Sequence, residues 1–212
     1  MTPGRQRARP TTRSERACDL PFRHGAVSEG LHADAVRVLR TFHADGDDQD
    51  QLRSSYLDFL AANPDGVTRD CVPAHLTASA LVLDPSGSHV LLTLHRKGGF
   101  WAQVGGHCEP GDATLADAAL REAREESGID DLRLVGDGPV DLDRHVLSSA
   151  FGSCGAHLDV RYAVVAPAGA TPSVSDESSD VAWFPFDALP DGCVDIKALV
   201  TRARRATVLD IS

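Results

Sequence analysis

The sequence predicts an α/β protein in which helices cover both faces of a mixed β-sheet. Two observations indicate this class. Apolar residues recur at helical spacing before residue 64 and again after residue 194, whereas alternating or continuous apolar runs dominate between them. One helical pattern is embedded among these strand patterns, which is typical of a sheet covered on both sides. The chain of 212 residues is long enough for one domain with an added arm.

The N-terminal third divides into a polar tail and two helices. The tail contains Arg, Pro, Thr and Ser but few large apolar side chains, which is typical of disorder; a transit peptide is the alternative interpretation. Residues 31–44 and 48–66 carry apolar residues at helical spacing, and the run from Asn63 to Gly66 ends the second helix. The predicted units are a disordered tail over 1–28, a helical extension over 29–72 and the main domain over 73–212.

The main domain begins as a series of strands separated by turns. Apolar runs predict the strands, and Gly, Pro and Ser residues between them predict the turns. The predicted strands span 76–84, 89–95, 98–104, 131–136, 140–148, 157–166 and 181–186. A closing helix is predicted over 195–206, and the loops 149–156 and 167–180 are long enough to contact a substrate.

The embedded helix carries boundary signals at both ends. Thr114 followed by Asp117 has the form of a capping box, with Asp in place of the more usual Glu. Gly128 stands where a left-handed C-terminal glycine belongs. These signals predict a helix over 115–127.

Three glutamates near the end of this helix form a shared acidic face. Glu122, Glu125 and Glu126 lie three and four residues apart, so they project from one side. Carboxylates here meet the negative end of the helix dipole, at a cost of up to about 1 kcal/mol each. A divalent cation removes the conflict, because Mg²⁺ prefers carboxylates, water and substrate phosphates. The glycine-rich loop before the helix lets backbone approach closely, so the Gly106 carbonyl is a further predicted ligand. A solvated acidic surface is the alternative interpretation.

The segment from Gly106 to Ile129 resembles a Nudix box. The matching positions are Gly106, Asp112, Arg121, Glu122, Glu125, Glu126, Gly128 and Ile129. The segment departs from the family pattern at Asp112, where Glu is usual, and in the spacer to Arg121, which is one residue longer than usual. The resemblance implies a Nudix-type α/β/α sandwich with a mixed β-sheet, and the N-terminal helical extension lies outside the common core.

The resemblance also implies a reaction and roles for the box residues. The reaction is metal-dependent hydrolysis of a diphosphate linkage in a nucleoside diphosphate joined to another moiety. Glu122, Glu125 and Glu126 are the implied ligands of Mg²⁺ or Mn²⁺, and Arg121 is implied to orient a glutamate by a charge-assisted hydrogen bond. The general base varies in position across the family, so a box acid such as Glu126 and the loop residue Glu177 are both candidates.

Four residues are predicted to contact the substrate: Arg96, Trp101, His107 and Glu177. Arg96 can reach phosphates, and Trp101 can stack on a base, although a core position is the favoured alternative for Trp101. His107 lies inside the box loop and is the strongest histidine candidate for a phosphate or second-metal contact. Polar residues alternate along 157–161, and this strand face either lines the pocket or faces solvent.

Composition limits the kinds of partner and the cellular compartment that we expect for this protein. The net charge of −10 argues against a nucleic-acid polymer, although a bound cation can reverse the local charge for a phosphate substrate. Five cysteines without CxxC spacing indicate reduced thiols, and no apolar run approaches the length of a membrane span. We therefore predict a cytoplasmic protein without a nucleic-acid polymer or a membrane as its partner. The resemblance implies that its substrate is a small nucleoside diphosphate derivative.

Two further functions stay open at this point. The first is a non-catalytic Nudix-fold nucleotide sensor or regulatory binding protein, which would bind a nucleotide without turnover. Loss of the box glutamates would be the sequence sign of such a protein, whereas all three are present. The N-terminal helices are a candidate homodimer surface, which is compatible with hydrolysis. Candidate substrates include a nucleotide sugar, ADP-ribose, a dinucleotide and a damaged nucleoside triphosphate.

Overall fold

A computed structural model describes residues 24–147 and 154–210. The predicted tail up to residue 23 and most of the predicted loop 149–156 lie outside the described residues. The helices are α1 (His24–Thr41), α2 (Asp47–Ala62), α3 (Leu115–Ser127) and α4 (Lys197–Asp210). The strands are β1 (Ala74–Leu83), β2 (His89–His95), β3 (Trp101–Ala102), β4 (Val104–His107), β5 (Arg133–Leu134), β6 (Asp141–Val146), β7 (Ala156–Val165) and β8 (Ser178–Pro185).

The strands form one mixed sheet, as the sequence predicts. Within the described residues it has eight strands, and β1 lies at its centre. β1 pairs in parallel with β7 along its whole length and antiparallel with β2 and β4. β5 and β6 add to β7, while β3 and β8 add to β2.

Alternation along the central strands gives each face of the sheet its own apolar core. Leu76 and Ala80 of β1 pack with α1, α2 and α3 on one face. Leu81 and Leu83 project from the other face, because successive strand side chains point in opposite directions, and they pack with α4. Helices therefore cover both faces, which confirms the predicted α/β/α arrangement. In the described part of the chain, no helix has the length and apolar character needed to cross a membrane.

The N-terminal helices share a core with the sheet. Leu39 of α1 and Tyr56 of α2 are buried in the same apolar cluster as the β1 side chains. Gln49 of α2 donates to the Leu142 carbonyl at 2.9 Å and accepts from the Leu142 N–H at 2.8 Å. α2 is thus joined to the backbone of β6 by two hydrogen bonds of the Gln49 side chain.

α1 also supports the first turn of α3. The buried carboxylate of Asp34 accepts a hydrogen bond from the Leu115 N–H at 2.9 Å, and Arg37 donates to the same carboxylate. The first N–H groups of a helix lack partners within the helix and favour a negative charge. The extension therefore stabilises the helix that carries the glutamates.

Several element boundaries differ from the predicted ones, and the differences at α1 and at β4 bear on the site. α1 begins at His24, inside the predicted tail, and no proline interrupts the chain between Pro21 and Pro64. The predicted strand 98–104 is instead two short strands, and β4 continues through Gly105 and Gly106. These glycines pair with Ser79 and Ala78 of β1, so cross-strand hydrogen bonding outweighs the low strand preference of glycine.

α3 begins and ends where the sequence predicts. Thr114 Oγ1 accepts a hydrogen bond from the Asp117 N–H at 3.0 Å, which caps the first turn. Gly128 adopts the left-handed conformation with φ of 68°, and its N–H donates to the Arg124 carbonyl at 2.8 Å. Both ends of the glutamate-bearing helix are therefore fixed by local hydrogen bonds.

Gly128→Ala is expected to destabilise the protein more than Gly136→Ala. Both glycines are left-handed, with φ of 68° and 70°, so alanine is strained at either position by about 1 kcal/mol. A Cβ at position 128 would also lie 1.9 Å from Ser173 Oγ, whereas one at position 136 would have no neighbour within 4 Å among the described residues. We expect roughly 1 kcal/mol of additional loss at Gly128 from this overpacking, measured by urea unfolding. Equal losses at the two positions would contradict the contact with Ser173.

Candidate active site

The C-terminal half of α3 places the glutamates against β4. Gly105 N–H donates to Glu126 Oε2 at 3.2 Å, and Glu126 is buried. A Cβ on Gly106 would lie 2.7 Å from Glu122 Oε1, so glycine is needed for the backbone to approach this carboxylate. The Glu122 side chain is 14% exposed, whereas that of Glu125 is 59% exposed. The structure thus brings the predicted glutamate ligands together: Glu126 is buried, Glu122 is half-buried and Glu125 faces outward.

Arg121 holds two of these glutamates by direct hydrogen bonds. Its Nη1 donates to Glu122 at 3.0 Å and to Glu125 at 3.2 Å. Its Nε and Nη2 donate to the two oxygens of Asp112 at 3.1 and 3.0 Å, and Nη2 also donates to the His107 carbonyl at 2.9 Å. Burial lowers the pKa of the Arg121 guanidinium, but Asp112 and Glu122 outweigh burial and leave that pKa above its ordinary value. Arg121 therefore links the box loop to the glutamate face as a permanent cation.

Asp112 has a structural importance that the sequence analysis did not assign to it. Its side chain is only 5% exposed, and besides Arg121 it accepts the Glu109 N–H at 2.7 Å. The usual Glu and the usual spacer are both altered here, yet the paired contact with Arg121 forms. The position of Asp112 as the first acid of the box was the signal for this contact.

Glu122 and Glu126 carry raised pKa values. Burial raises the pKa of Glu126 to about 8, reinforced by the neighbouring glutamate charges and opposed by the hydrogen bond from Gly105. Burial likewise raises the pKa of Glu122 to about 6, against the opposing effect of Arg121. A buried carboxylate without a matching cation is costly to ionise, and a divalent cation reverses that cost. The donor set, all oxygen and largely anionic, fits a hard cation such as Mg²⁺ or Mn²⁺.

Glu126→Gln is expected to stabilise the cation-free protein at alkaline pH. The pKa of Glu126 rises from its ordinary 4.5 to about 8 on folding, so the folded state holds the proton more tightly than the unfolded state does. Stability conferred by this group is complete below about pH 4.5 and is lost as the pH rises to about 8. Gln avoids that loss, which we expect to be on the order of 2–4 kcal/mol near pH 8.

Thermal unfolding in chelator, at mildly acidic and mildly alkaline pH, measures this difference. Glu109→Gln is the control, because it makes the same change at an exposed position of the box loop. A Glu126→Gln effect that is the same at both pH values would contradict the raised pKa.

Glu177 lies close enough to the box to act on its charges. The negative charge of Glu177 contributes to the raised pKa of both Glu122 and Glu126. Glu177 itself is exposed and stands directly before β8. The long loop that carries it therefore returns to the glutamate face.

Arg96 fastens the segment that carries Glu177. Its N–H donates to the Glu177 carbonyl at 3.1 Å, and its guanidinium donates to the Ser178 carbonyl at 2.8 Å. The Arg96 side chain thus has a backbone partner, and its structural effect is to hold Glu177 in place. It remains exposed, so its charge is still accessible to an anion.

Trp101 occupies a core position on the opposite face of the sheet. Its ring meets Phe184 edge-on at 4.9 Å between centroids, and its backbone bridges to Cys193. It belongs to the apolar cluster beneath α4. This arrangement matches the favoured alternative, and none of the described contacts of Trp101 joins it to the glutamates.

His107 contributes its backbone to the box and its ring to a group of histidines. The His107 ring centroid lies 5.0 Å from that of His75 and 5.1 Å from that of His157. Burial and the neighbouring charges of His75 and Arg69 lower the pKa of His107 to about 4. The ring is neutral at neutral pH and offers phosphate no positive charge.

On the polar strand face over 157–161, Asp159 and Arg161 are buried and paired, so these two side chains do not face solvent. Asp159 accepts from Thr77 at 3.0 Å, from Ser79 at 2.7 Å and from Arg161 at 3.1 Å. Gln103 Nε2 lies 3.4 Å from the same carboxylate, and Gln103 Oε1 is a buried oxygen with no hydrogen-bond partner among the described residues. Alternation along β7 was the sequence signal for this polar layer, but its partners come from other strands.

Comparison with known proteins agrees with the observed fold. The NUDIX domain model matches residues 73–206. A NUDIX-family hydrolase from Clostridium perfringens is 21% identical, over 64% of this chain and 97% of that chain, with a TM-score of 0.50. The E. coli dihydroneopterin triphosphate pyrophosphohydrolase is 18% identical over 64% and 94% of the two chains, with a TM-score of 0.49. A C. elegans Ap4A hydrolase is 16% identical over 63% and 96%, with a TM-score of 0.45. No curated protein matches the sequence.

The fold and the braced glutamate face define a hydrolase of the α/β/α sandwich class. The domain match covers more than half of the chain, and the chain belongs to the Nudix family. It is an enzyme that hydrolyses pyrophosphate bonds.

Proposed function

We propose that this enzyme hydrolyses the diphosphate linkage of a nucleoside diphosphate joined to another moiety, with Mg²⁺ or Mn²⁺ as its cofactor. One observation carries the proposal: Glu122 and Glu126 lie against the β4 glycines, Arg121 braces Glu122 and Glu125, and the charge of Glu177 acts on the same carboxylates. An enzyme with a net charge of −10 needs a cation to bind a phosphate substrate here. A sensor without turnover would have no need of four acids in one place, so hydrolysis is favoured.

The glutamates of the box would hold the cation, and Arg121 holds two of these glutamates in position. Glu122, Glu125, Glu126 and the Gly106 carbonyl would hold Mg²⁺ or Mn²⁺. When bound, this ion activates water and neutralises charge on the phosphates. Arg121 keeps two of the carboxylates in fixed positions, and fixed donors give catalysis without reorganisation. The buried side chain of Glu126 excludes water on the side nearest β4.

Glu177 is the proposed general base. Its side chain is exposed, its charge acts on the box glutamates, and Arg96 holds the segment that carries it. The three box glutamates, by contrast, are assigned to the cation. A base at this position would take the proton of the attacking water as the bond to phosphorus forms. The bridging oxygen leaves on the other phosphate.

Glu177→Gln is therefore expected to lower kcat by about 100-fold, the lower end of what a general base contributes, with little change in KM. Asp176→Asn removes the same charge from the neighbouring exposed residue and serves as the control. Steady-state kinetics as a function of pH measures both variants. Equal activity of Glu177→Gln and wild type would assign the base to a box acid instead.

A substrate panel tests the proposed function directly. The panel contains a nucleotide sugar, ADP-ribose, a dinucleotide and an oxidised nucleoside triphosphate, each with Mg²⁺, Mn²⁺ or chelator. We expect at least one of them to yield a nucleoside monophosphate in a cation-dependent reaction. Chromatography measures this product. Binding of a panel member without any product, in the presence of cation, would support the sensor function and overturn the proposal.

A further inference from the structure

A cluster of histidines lies beside the box on one face of the sheet. Strand register brings it together: His75 of β1 is the partner of His157 in β7, and His157 is the partner of His145 in β6. The ring centroids of His75 and His157 are 5.0 Å apart, and those of His145 and His157 are 5.2 Å apart. His107 joins them from β4 through the ring contacts given above. Four imidazoles at this spacing form a nitrogen-rich surface unlike the all-oxygen glutamate face.

Cys154 adds a thiol to this cluster. Its Sγ lies 3.6 Å from His75 Nδ1 and 3.9 Å from His75 Nε2. One ligand atom each from His75, Cys154 and His157 can be chosen so that all three lie within 4.8 Å of one another. Ligands of a tetrahedral zinc ion lie about 3.5 Å apart, given its bond lengths, so a closure of roughly 1 Å would complete the site.

A backbone carbonyl already orients one of these rings. His75 Nδ1 lies 3.1 Å from the Cys71 carbonyl, and this ring is buried. Metal-binding histidines commonly donate one ring N–H to a carbonyl or carboxylate, which leaves the other nitrogen free to coordinate.

We propose that His75, Cys154 and His157 bind one transition-metal ion of the zinc class, separate from the oxygen site of the box. Thiolate and imidazole ligands select Zn²⁺ and related ions, whereas Mg²⁺ selects oxygen, so the two sites differ in the metal they take. Three protein ligands leave a fourth position for water or for the neighbouring His107. The ion would tie the start of β1 to the start of β7, next to the strand that carries the box glycines.

Cobalt spectroscopy of the full chain tests this site. The protein is stripped with chelator under reducing conditions, excess Mg²⁺ is added to occupy the carboxylates, and Co²⁺ is titrated. We expect one equivalent to give a sulfur-to-cobalt charge-transfer band together with intense visible bands, and Zn²⁺ to abolish both. Cys154→Ser should lose the charge-transfer band, and His157→Gln should weaken Co²⁺ binding by at least about 100-fold.

Two matched variants and the wild-type protein serve as controls for folding. Cys193→Ser and His43→Gln replace a half-buried thiol and an exposed imidazole outside the cluster, and both should keep the cobalt spectrum. In the wild type, Zn²⁺ should slow alkylation of Cys154 but not of Cys193, read by peptide mass spectrometry. Absence of the charge-transfer band in the wild type, its persistence in Cys154→Ser, or equal alkylation with and without Zn²⁺ would overturn the proposal. Because the readouts are spectra and alkylation, they are independent of whether the box proves hydrolytic.

Discussion

Replacing Glu125 with Gln is expected to lower kcat by about 10³-fold. A catalytic cation contributes several kcal/mol of transition-state stabilisation, and each 1.36 kcal/mol corresponds to a factor of ten in rate. Glu125 is the most exposed of the three box glutamates, with 59% of its side chain accessible, so Gln at this position should not disturb folding. The loss should therefore appear in catalysis and in the cation concentration needed for half-maximal rate.

The matched control for this variant is Glu109→Gln. Glu109 is an exposed acid of the box loop before α3 and makes its contact with Asp112 through the backbone, which the substitution leaves unchanged. Kinetics over a range of Mg²⁺ concentrations, with unfolding temperatures measured alongside, compares the two. Similar kcat values for the two variants would remove Glu125 from the cation site.

Arg121→Gln is expected to impair both stability and activity. The substitution leaves the carboxylate of Asp112, which is 5% exposed, without its cation, and breaking one partner of a buried pair costs about 3–5 kcal/mol. Since Arg121 is itself 21% exposed, we expect about 3 kcal/mol, measured by chemical unfolding. Glu122 and Glu125 also lose their brace, and we expect kcat to fall by about 100-fold, as for other residues that orient metal ligands.

A double-mutant cycle separates these two effects. In Arg121→Gln/Asp112→Asn, the unpaired buried charge is gone, so much of the stability should return while activity stays low. Arg124→Gln is the control on the same helix, because Arg124 is exposed and its side chain donates to the Asp130 carbonyl rather than to a box acid. Additive stability losses in the double variant would mean that Asp112 and Arg121 do not act as a pair.

The box helix could be predicted from the sequence because its signals are local. Thr114 caps α3 by accepting a hydrogen bond from the N–H of Asp117, three residues later, and Gly128 ends the helix in a left-handed conformation. The spacing of the three glutamates likewise fixes their shared face without any tertiary information. The same reasoning missed the extension of β4 through Gly105, because strand pairing with Ser79 depends on a distant segment.

The remaining features depend on register and on long-range contacts. His75 and His157 are neighbours only because β1 and β7 pair in one particular register, and a shift of one residue would place them on opposite faces. The support that Asp34 gives to Leu115 joins residues far apart in the chain. Arg96 has a suitable charge for phosphate, yet its guanidinium donates to the backbone carbonyl of Ser178, the first residue of β8. Residue type indicated the chemistry in these cases, and only the fold determined the partners.

Hydrolysis in water labelled with a heavy oxygen isotope tests the central claim most directly. The best substrate from the panel is turned over with Mg²⁺, and mass spectrometry locates the label in the products. The proposed reaction predicts one heavy oxygen on the phosphate of one product, appearing only with a divalent cation and greatly slowed in Glu125→Gln. Label on a carbon-bound oxygen, or cleavage that persists in chelator, would contradict a cation-dependent attack of water on a phosphoric anhydride.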